Sequence, residues 1–289
     1  MSQVGVETQA TPHAEEAQVL IELKRYQEAL TACSRAIASD PEEPANYATL
    51  TRIHLQLKQN QDALEAAKMV ITLAPEWPYG YYLMSICLHH LLDFDGELNA
   101  AEHALSLDPE DPILLDRLAR AQIQSGLLKR AKLTAIQLTR ISPEDVDTYS
   151  LLSDICFELD DYANAETHLL SALQLTPEDH VLHNDMGRIH LARKAWLAAV
   201  DAFYKAVKLQ PAAKIYQDNL KMAITNWLDS QTIRGNRSQA LEMLAPEIRA
   251  FYRHKLDSRT AFERLGIFGP ILASIALLAI LVFLFNSLL

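Results

Sequence analysis

The chain is poor in glycine, with eight in 289 residues. A phosphate-cradling loop needs several glycines clustered before a helix, and no such cluster is present. GxSxG and HExxH are also missing, which removes the hydrolase elbow and the zinc-protease helix. Cysteine is scarce: Cys33, Cys87 and Cys156 have a spacing that suits neither a zinc site nor a disulfide scaffold. They read as small buried hydrophobes, and reduced thiols fit a cytosolic location. His89-His90 invites a metal reading, but adjacent helical residues point about 100° apart and no Cys or carboxylate cluster completes a site. No metal, cofactor or enzymatic activity is expected.

Basic charge is short as well. Lys and Arg number 26 against 37 Asp and Glu, a net −11. Residues 230–264 hold seven basic and four acidic residues, a local +3, which leaves −14 for the first 229. A surface that acidic is a poor one for nucleic acid, whose binding depends on cationic contacts. The first 18 residues show no basic region followed by an apolar run, so no secretory signal is expected.

What the chain does have is a period. Pro41, Pro75, Pro109, Pro143, Pro177 and Pro211 stand 34 residues apart. A fixed period of this length marks a stack of like supersecondary units. With each proline set as position 32, position 8 reads Ala17, Thr51, Ser85, Ala119, Ser153, Gly187. Position 20 reads Ala29, Ala63, Glu97, Ala131, Ala165, Ala199, and position 27 reads Ala36, Val70, Ala104, Leu138, Ala172, Ala206. Small residues at fixed offsets let two helices approach closely, as an antiparallel helical hairpin requires. Larger residues fill the gaps between hairpins: Tyr26, Phe94, Leu128, Tyr162 and Trp196 at position 17, Leu50, Met84, Leu118, Leu152 and Met186 at position 7. Each proline ends the second helix of its unit, since it lacks an N–H and clashes with the preceding turn. Pro44 and Pro112 stand where a following helix should begin.

This pattern resembles the tetratricopeptide repeat family, over about residues 10 to 211. The resemblance implies an all-α, right-handed superhelical solenoid of six helix-turn-helix units. Two departures stand out. Glu97 occupies an alanine position with Gly96 beside it, which predicts an irregular start to that helix. Glu16 stands where a large apolar residue is usual, as a terminal unit can afford. The expected organisation is a tail over 1–9, six repeats over 10–211, a capping helix over 212–229, a basic juxtamembrane helical segment over 230–264 and a transmembrane helix over 265–289. In the cap, Ile215, Leu220, Ala223, Ile224 and Trp227 are expected to cover the end of the stack.

Residues 265–289 contain no charge. At about 1.5 Å per residue, even the part from Pro270 onward reaches across a hydrocarbon core of roughly 30 Å. With basic residues preceding it, the span predicts a single-pass C-terminal anchor in the lipid bilayer, with the repeats facing the cytoplasm. Residues 238–256 put Leu241, Leu244, Ile248, Phe251 and Tyr252 on one helical face, suited either to the lipid surface or to packing on the last repeat.

In the family, first helices line a concave groove. Carried onto this chain, the resemblance implies a protein-binding face that includes Arg52, Tyr79, Tyr82, His89, Arg117, Arg120, Asp154 and Arg188. Tyrosine and arginine anchor interfaces more often than other residues do. The clamp with which some members hold a chaperone's C-terminal carboxylate falls on Ala48, Arg52, Thr49, Tyr79 or Ile113, and Arg117, so it is incomplete. The expected function is a membrane-anchored scaffold or adaptor that recruits protein partners. The alternative is a structural or assembly-factor subunit of a larger membrane complex for secretion, envelope or cofactor assembly. End-to-end self-association is a further expectation. The sequence does not name the partner or the membrane.

Overall fold

The computed structural model of the chain describes residues 11–232 and 241–252. Every element among these is a helix. They group into two compact units, one ending at Pro177 and the other beginning at Glu178.

The first unit contains five helix pairs. The first helices are α1 (Pro12–Glu22), α3 (Pro44–Gln56), α5 (Pro78–His90), α7 (Pro112–Gln124) and α9 (Val146–Glu158). Their partners are α2 (Tyr26–Ser39), α4 (Asn60–Leu73), α6 (Phe94–Leu107), α8 (Leu128–Ile141) and α10 (Tyr162–Leu175). Proline opens four of the first helices, where a missing N–H costs nothing. Asp111 and Asp145 cap α7 and α9 by accepting from first-turn N–H groups. Each second helix of this unit stops two residues before the repeated proline.

The small positions do what their spacing requires. Residues at positions 20 and 27 of every pair are buried, and so are those at position 8. Within the first unit α2, α4, α6 and α8 each also pack on the first helix of the next pair, so neighbouring pairs share apolar cores. One such core joins Ala17, Ala29, Cys33 and Ile53, and another joins Ala119, Ala131, Leu151, Leu152 and Ile155. The three cysteines are buried and free. Burial pushes the Cys33 thiol up to about 11 and the Cys87 thiol to about 12.

The turns inside the pairs share a feature that composition hides. Lys24, Lys58, Leu92, Gly126, Asp160 and Lys194 all have φ between 57° and 73°. The left-handed region suits glycine, yet only Gly126 is one. The other five adopt it because the packed helices on either side demand the turn.

The second unit contains α11 (His180–Ala192), α12 (Trp196–Leu209), α13 (Lys214–Thr232) and a short α14 (Pro246–Phe251). Gly187 is needed for close approach: a Cβ there would lie 2.6 Å from ring carbons of Phe203. From α13, Leu220, Ala223, Ile224, Trp227 and Leu228 join the α12 core. Ile215, expected to cover the stack, is 61% exposed instead, because it lies on the opposite side of α13. Of the two placements open for residues 238–256, the described part packs: Leu241, Leu244, Ile248 and Tyr252 are buried in that same core. Phe251 meets Tyr204 edge to face at 6.2 Å. The tail over 1–9, most of 230–264 and the apolar run 265–289 lie outside the described residues. Among the described residues no helix is long and apolar enough to cross a membrane.

Candidate functional site

The candidate face is built by first helices of the first unit. A cleft of about 690 Å³ opens where α1, α3 and α5 adjoin. Arg52, Tyr79 and Tyr82 line it, together with Tyr26, Lys58 and His90. No Asp or Glu is among its lining residues. Apolar walls come from Ile21, Leu55, Leu83 and Ile86. Tyr79 and Tyr82 stack with ring centroids 5.5 Å apart, and Trp77 leans on Tyr79 at 5.3 Å. Burial pushes the Tyr79 phenol up, and the charge of Arg52 pulls against that shift. Arg52 is exposed and donates to the neutral Oε1 of Gln18 at 3.3 Å.

The face continues beyond the cleft. The charge of Arg117 on α7 interacts with Tyr82, Asp116 and Arg120. Arg120 in turn is held by Asp116, with Nε donating at 2.8 and 3.0 Å. That bond pushes the Arg120 guanidinium up, and the charges of Asp147 and Asp154 on α9 push the same way. A series of neighbours thus links Arg52, Tyr79, Tyr82, Arg117, Arg120 and Asp154. Arg188 stands on α11 in the second unit, where it donates to Asp185 Oδ1 at 3.0 Å.

Two of the sequence-implied residues are engaged below the surface. Glu97 on α6 is fully buried. Arg117 donates to its Oε1, and His89 Nδ1 lies 3.0 Å from its Oε2. Arg117 also donates to the Ser85 hydroxyl at 2.7 Å and to the Ser85 carbonyl at 3.0 Å. No buried side-chain nitrogen or oxygen lacks a partner among the described residues. The network explains how a carboxylate occupies an alanine position, since a buried charge is tolerated only when paired and hydrogen-bonded. It also corrects the expected irregularity at Gly96. α6 begins at Phe94, in register with the other second helices, and the Asp93 carboxylate caps it by accepting from Gly96 N at 3.0 Å. Sequence reasoning missed that Arg117 answers Glu97. The usable signal was positional: Arg117 is the only arginine at position 6, where other units carry Glu15, Thr49, Leu83, Leu151 and Asp185.

His89 and His90 meet edge to face with centroids 5.6 Å apart. Among the described residues no group of three or more His, Cys, Asp or Glu could hold a metal ion.

Against known proteins, two stretches match models of the tetratricopeptide repeat, residues 20–87 and residues 157–214. The chain therefore carries tetratricopeptide repeats. Solved structures of such repeats superpose on it. One is the C-terminal part of a repeat protein from Cytophaga hutchinsonii, with TM-score 0.65, 15% identity, and coverage of 79% of this chain and 91% of that one. YrrB, described as a repeat protein with an unusual peptide-binding site, matches with TM-score 0.53, 14% identity and coverage of 65% and 96%. The Cut9–Hcn1 assembly of the APC/C matches with TM-score 0.61 and 16% identity, covering 73% of this chain. This chain spans only 42% of that relative. At these identities the likeness is one of fold. No curated protein sequence matches the chain.

Proposed function

We propose that the protein is a scaffold that binds other proteins through the face of α3, α5, α7 and α9, and that residues 265–289 hold it at a membrane with that face toward the cytoplasm. Repeats of this kind generally serve as protein-interaction scaffolds. The observation that carries the reading is the cleft where Arg52, Tyr79 and Tyr82 converge: aromatic and cationic side chains around an apolar floor are the composition of an interface anchor. The role is read as binding because repeats of this fold typically serve as non-catalytic interaction scaffolds. The membrane part is supported by the uncharged run from Leu265 to Leu289. Tethering would raise the local concentration of a captured partner.

The test is crosslinking in intact membranes followed by mass spectrometry, comparing the parent with Arg52→Ala/Tyr82→Ala. We expect named partners to be lost while the circular-dichroism melt is retained. Partners retained unchanged would move the contacts elsewhere and favour a structural subunit of a larger complex. Resistance of the full chain to alkaline extraction, lost on deletion of 265–289, tests the anchor.

A further inference from the structure

Resting on that reading, we propose that the cleft of α1, α3 and α5 takes a short internal segment of an acidic partner protein, with a glutamate or aspartate on Arg52 and Lys58 and a neighbouring apolar side chain on the tyrosines. Size limits the occupant first. About 690 Å³ is the room of a pocket that encloses a drug-sized ligand, so the cleft admits a few side chains rather than a folded surface. Charge limits it next. The chain has 37 acidic residues against 26 basic ones, yet Arg52, Lys58 and His90 line the cleft with no Asp or Glu among its lining residues. Arg52 is exposed, and its guanidinium donates to the neutral Oε1 of Gln18, a bond that leaves its charge unanswered.

Tyr79 and Tyr82, stacked at 5.5 Å, form an apolar seat with Leu55, Leu83 and Ile86 in the same lining. The charge of Arg52 is felt at the Tyr79 phenol, so the cation and the aromatic seat are close enough to share one ligand segment. A carboxylate beside a leucine meets both at once. Gln56 and Asn60 add side-chain amides to the lining. Asn60 Nδ2 donates to the His90 carbonyl at 3.2 Å, which leaves its Oδ1 to accept a backbone N–H from an extended segment. Such pairing needs no chain end, and side-chain carboxylates satisfy the cations without a free carboxyl terminus. Complementary potentials select the docking place, because like charges facing each other are repelled. An acidic segment is repelled by the prevailing charge of this chain and accepted at the cleft; a basic one meets the reverse.

The experiment uses the full chain in non-ionic detergent micelles and synthetic fluorescent peptides blocked at both ends. One alternates glutamate with leucine; the others replace glutamate by glutamine, glutamate by lysine, or leucine by alanine. The first is also made with a free carboxyl terminus. We expect the glutamate–leucine peptide to bind about tenfold or more tighter than each replacement, as a difference of 1.4 kcal/mol would give, and no tighter with its terminus free. The variant Arg52→Glu/Lys58→Glu changes only exposed positions and should prefer the lysine peptide. If that variant melts early, Arg52→Gln alone should still erase most of the preference for glutamate over glutamine. Equal binding of the glutamate–leucine peptide and any replacement, no binding of it, a tenfold gain from the free terminus, or an unchanged preference in the variants would overturn the proposal. So would self-association of the parent that is lost in the variants, which would give the cleft to a second copy. If the glutamate–leucine peptide fails while crosslinked partners still depend on Arg52 and Tyr82, the inference falls and the scaffold reading stands. If both fail, the cleft is not the binding surface.

Discussion

The hairpins α5–α6 and α7–α8 have the same helix lengths and the same register, yet they close in opposite chemistries. In α7–α8 the contact is made by Ala119 and Ala131, both fully buried, with Leu151 and Leu152 of the next helix sealing it. In α5–α6 the equivalent residues are Ser85 and Glu97, and the next helix supplies Arg117 where the other site has Leu151. One site is held by close apolar packing, the other by a buried ion pair in which each Glu97 oxygen has a partner. The backbone tolerates either solution, but not a mixture. A glutamate without its arginine, or an arginine without its glutamate, would leave a charge in a site closed to water.

That difference can be broken from each side. The largest effect is expected from Arg117→Ala, which leaves Glu97 buried and unpaired and should cost about 3–5 kcal/mol in chemical unfolding. The double change Glu97→Ala/Arg117→Leu imports the chemistry of the neighbouring site and should recover most of that loss. If Arg117→Ala unfolds like the parent, the network carries no stability. Next is the opposite transplant. Ala131→Glu should cost about 3 kcal/mol, and adding Leu151→Arg with Ala119→Ser should return part of it in a double-mutant comparison. Absence of any coupling would mean that position, not pairing, decides tolerance.

A smaller effect concerns the turn between α5 and α6. Leu92 is 74% exposed at φ 62°, whereas α7–α8 has Gly126 at that point. Leu92→Gly should stabilise by about 1 kcal/mol by relieving the left-handed strain, read from the thermal midpoint.

The smallest effect is a pH dependence in α10. Burial holds the folded-state pKa of His168 below its ordinary value, and the charge of Lys132 adds to the shift. The unfolded chain therefore takes up the proton first. Stability should fall as pH drops below about 6.5 and level off once the folded-state pKa is passed. His168→Gln should flatten that part of the profile relative to the parent.

Much of the architecture was legible because it depends on residue size at a fixed interval. Ala29, Ala63, Ala131, Ala165 and Ala199 stand at one register position and are all fully buried. The helix ends were legible through proline, whose geometry is local. Other features were not, for three physical reasons. The pairing of Glu97 with Arg117 spans two units, so a reading of each unit alone sees a misplaced acid and a spare groove arginine. The left-handed turns carry Lys, Leu and Asp as readily as Gly, because tertiary packing overrides the local preference. Ile215 and Leu220 both read as capping residues, and only the orientation of α13 separates the exposed one from the buried one. Along the candidate face, residue types were readable, but the cleft shared by Arg52, Tyr79 and Tyr82 required knowing which helices adjoin.

The pairing of Glu97 with Arg117 and Ser85 acts as a rivet between the third and fourth helix pairs. Stacks of repeats come apart at their weakest seams, since each repeat is stabilised mainly by its neighbours. Opening this seam would strip a carboxylate and a guanidinium of each other at once, so the two pairs should fray together or not at all. Any slow amide-exchange block in the first unit should therefore run across α5, α6 and α7 without a break, with easier parting on either side. A repeat array with uniform spacing is in this way divided into lengths of unequal persistence by a single acidic side chain.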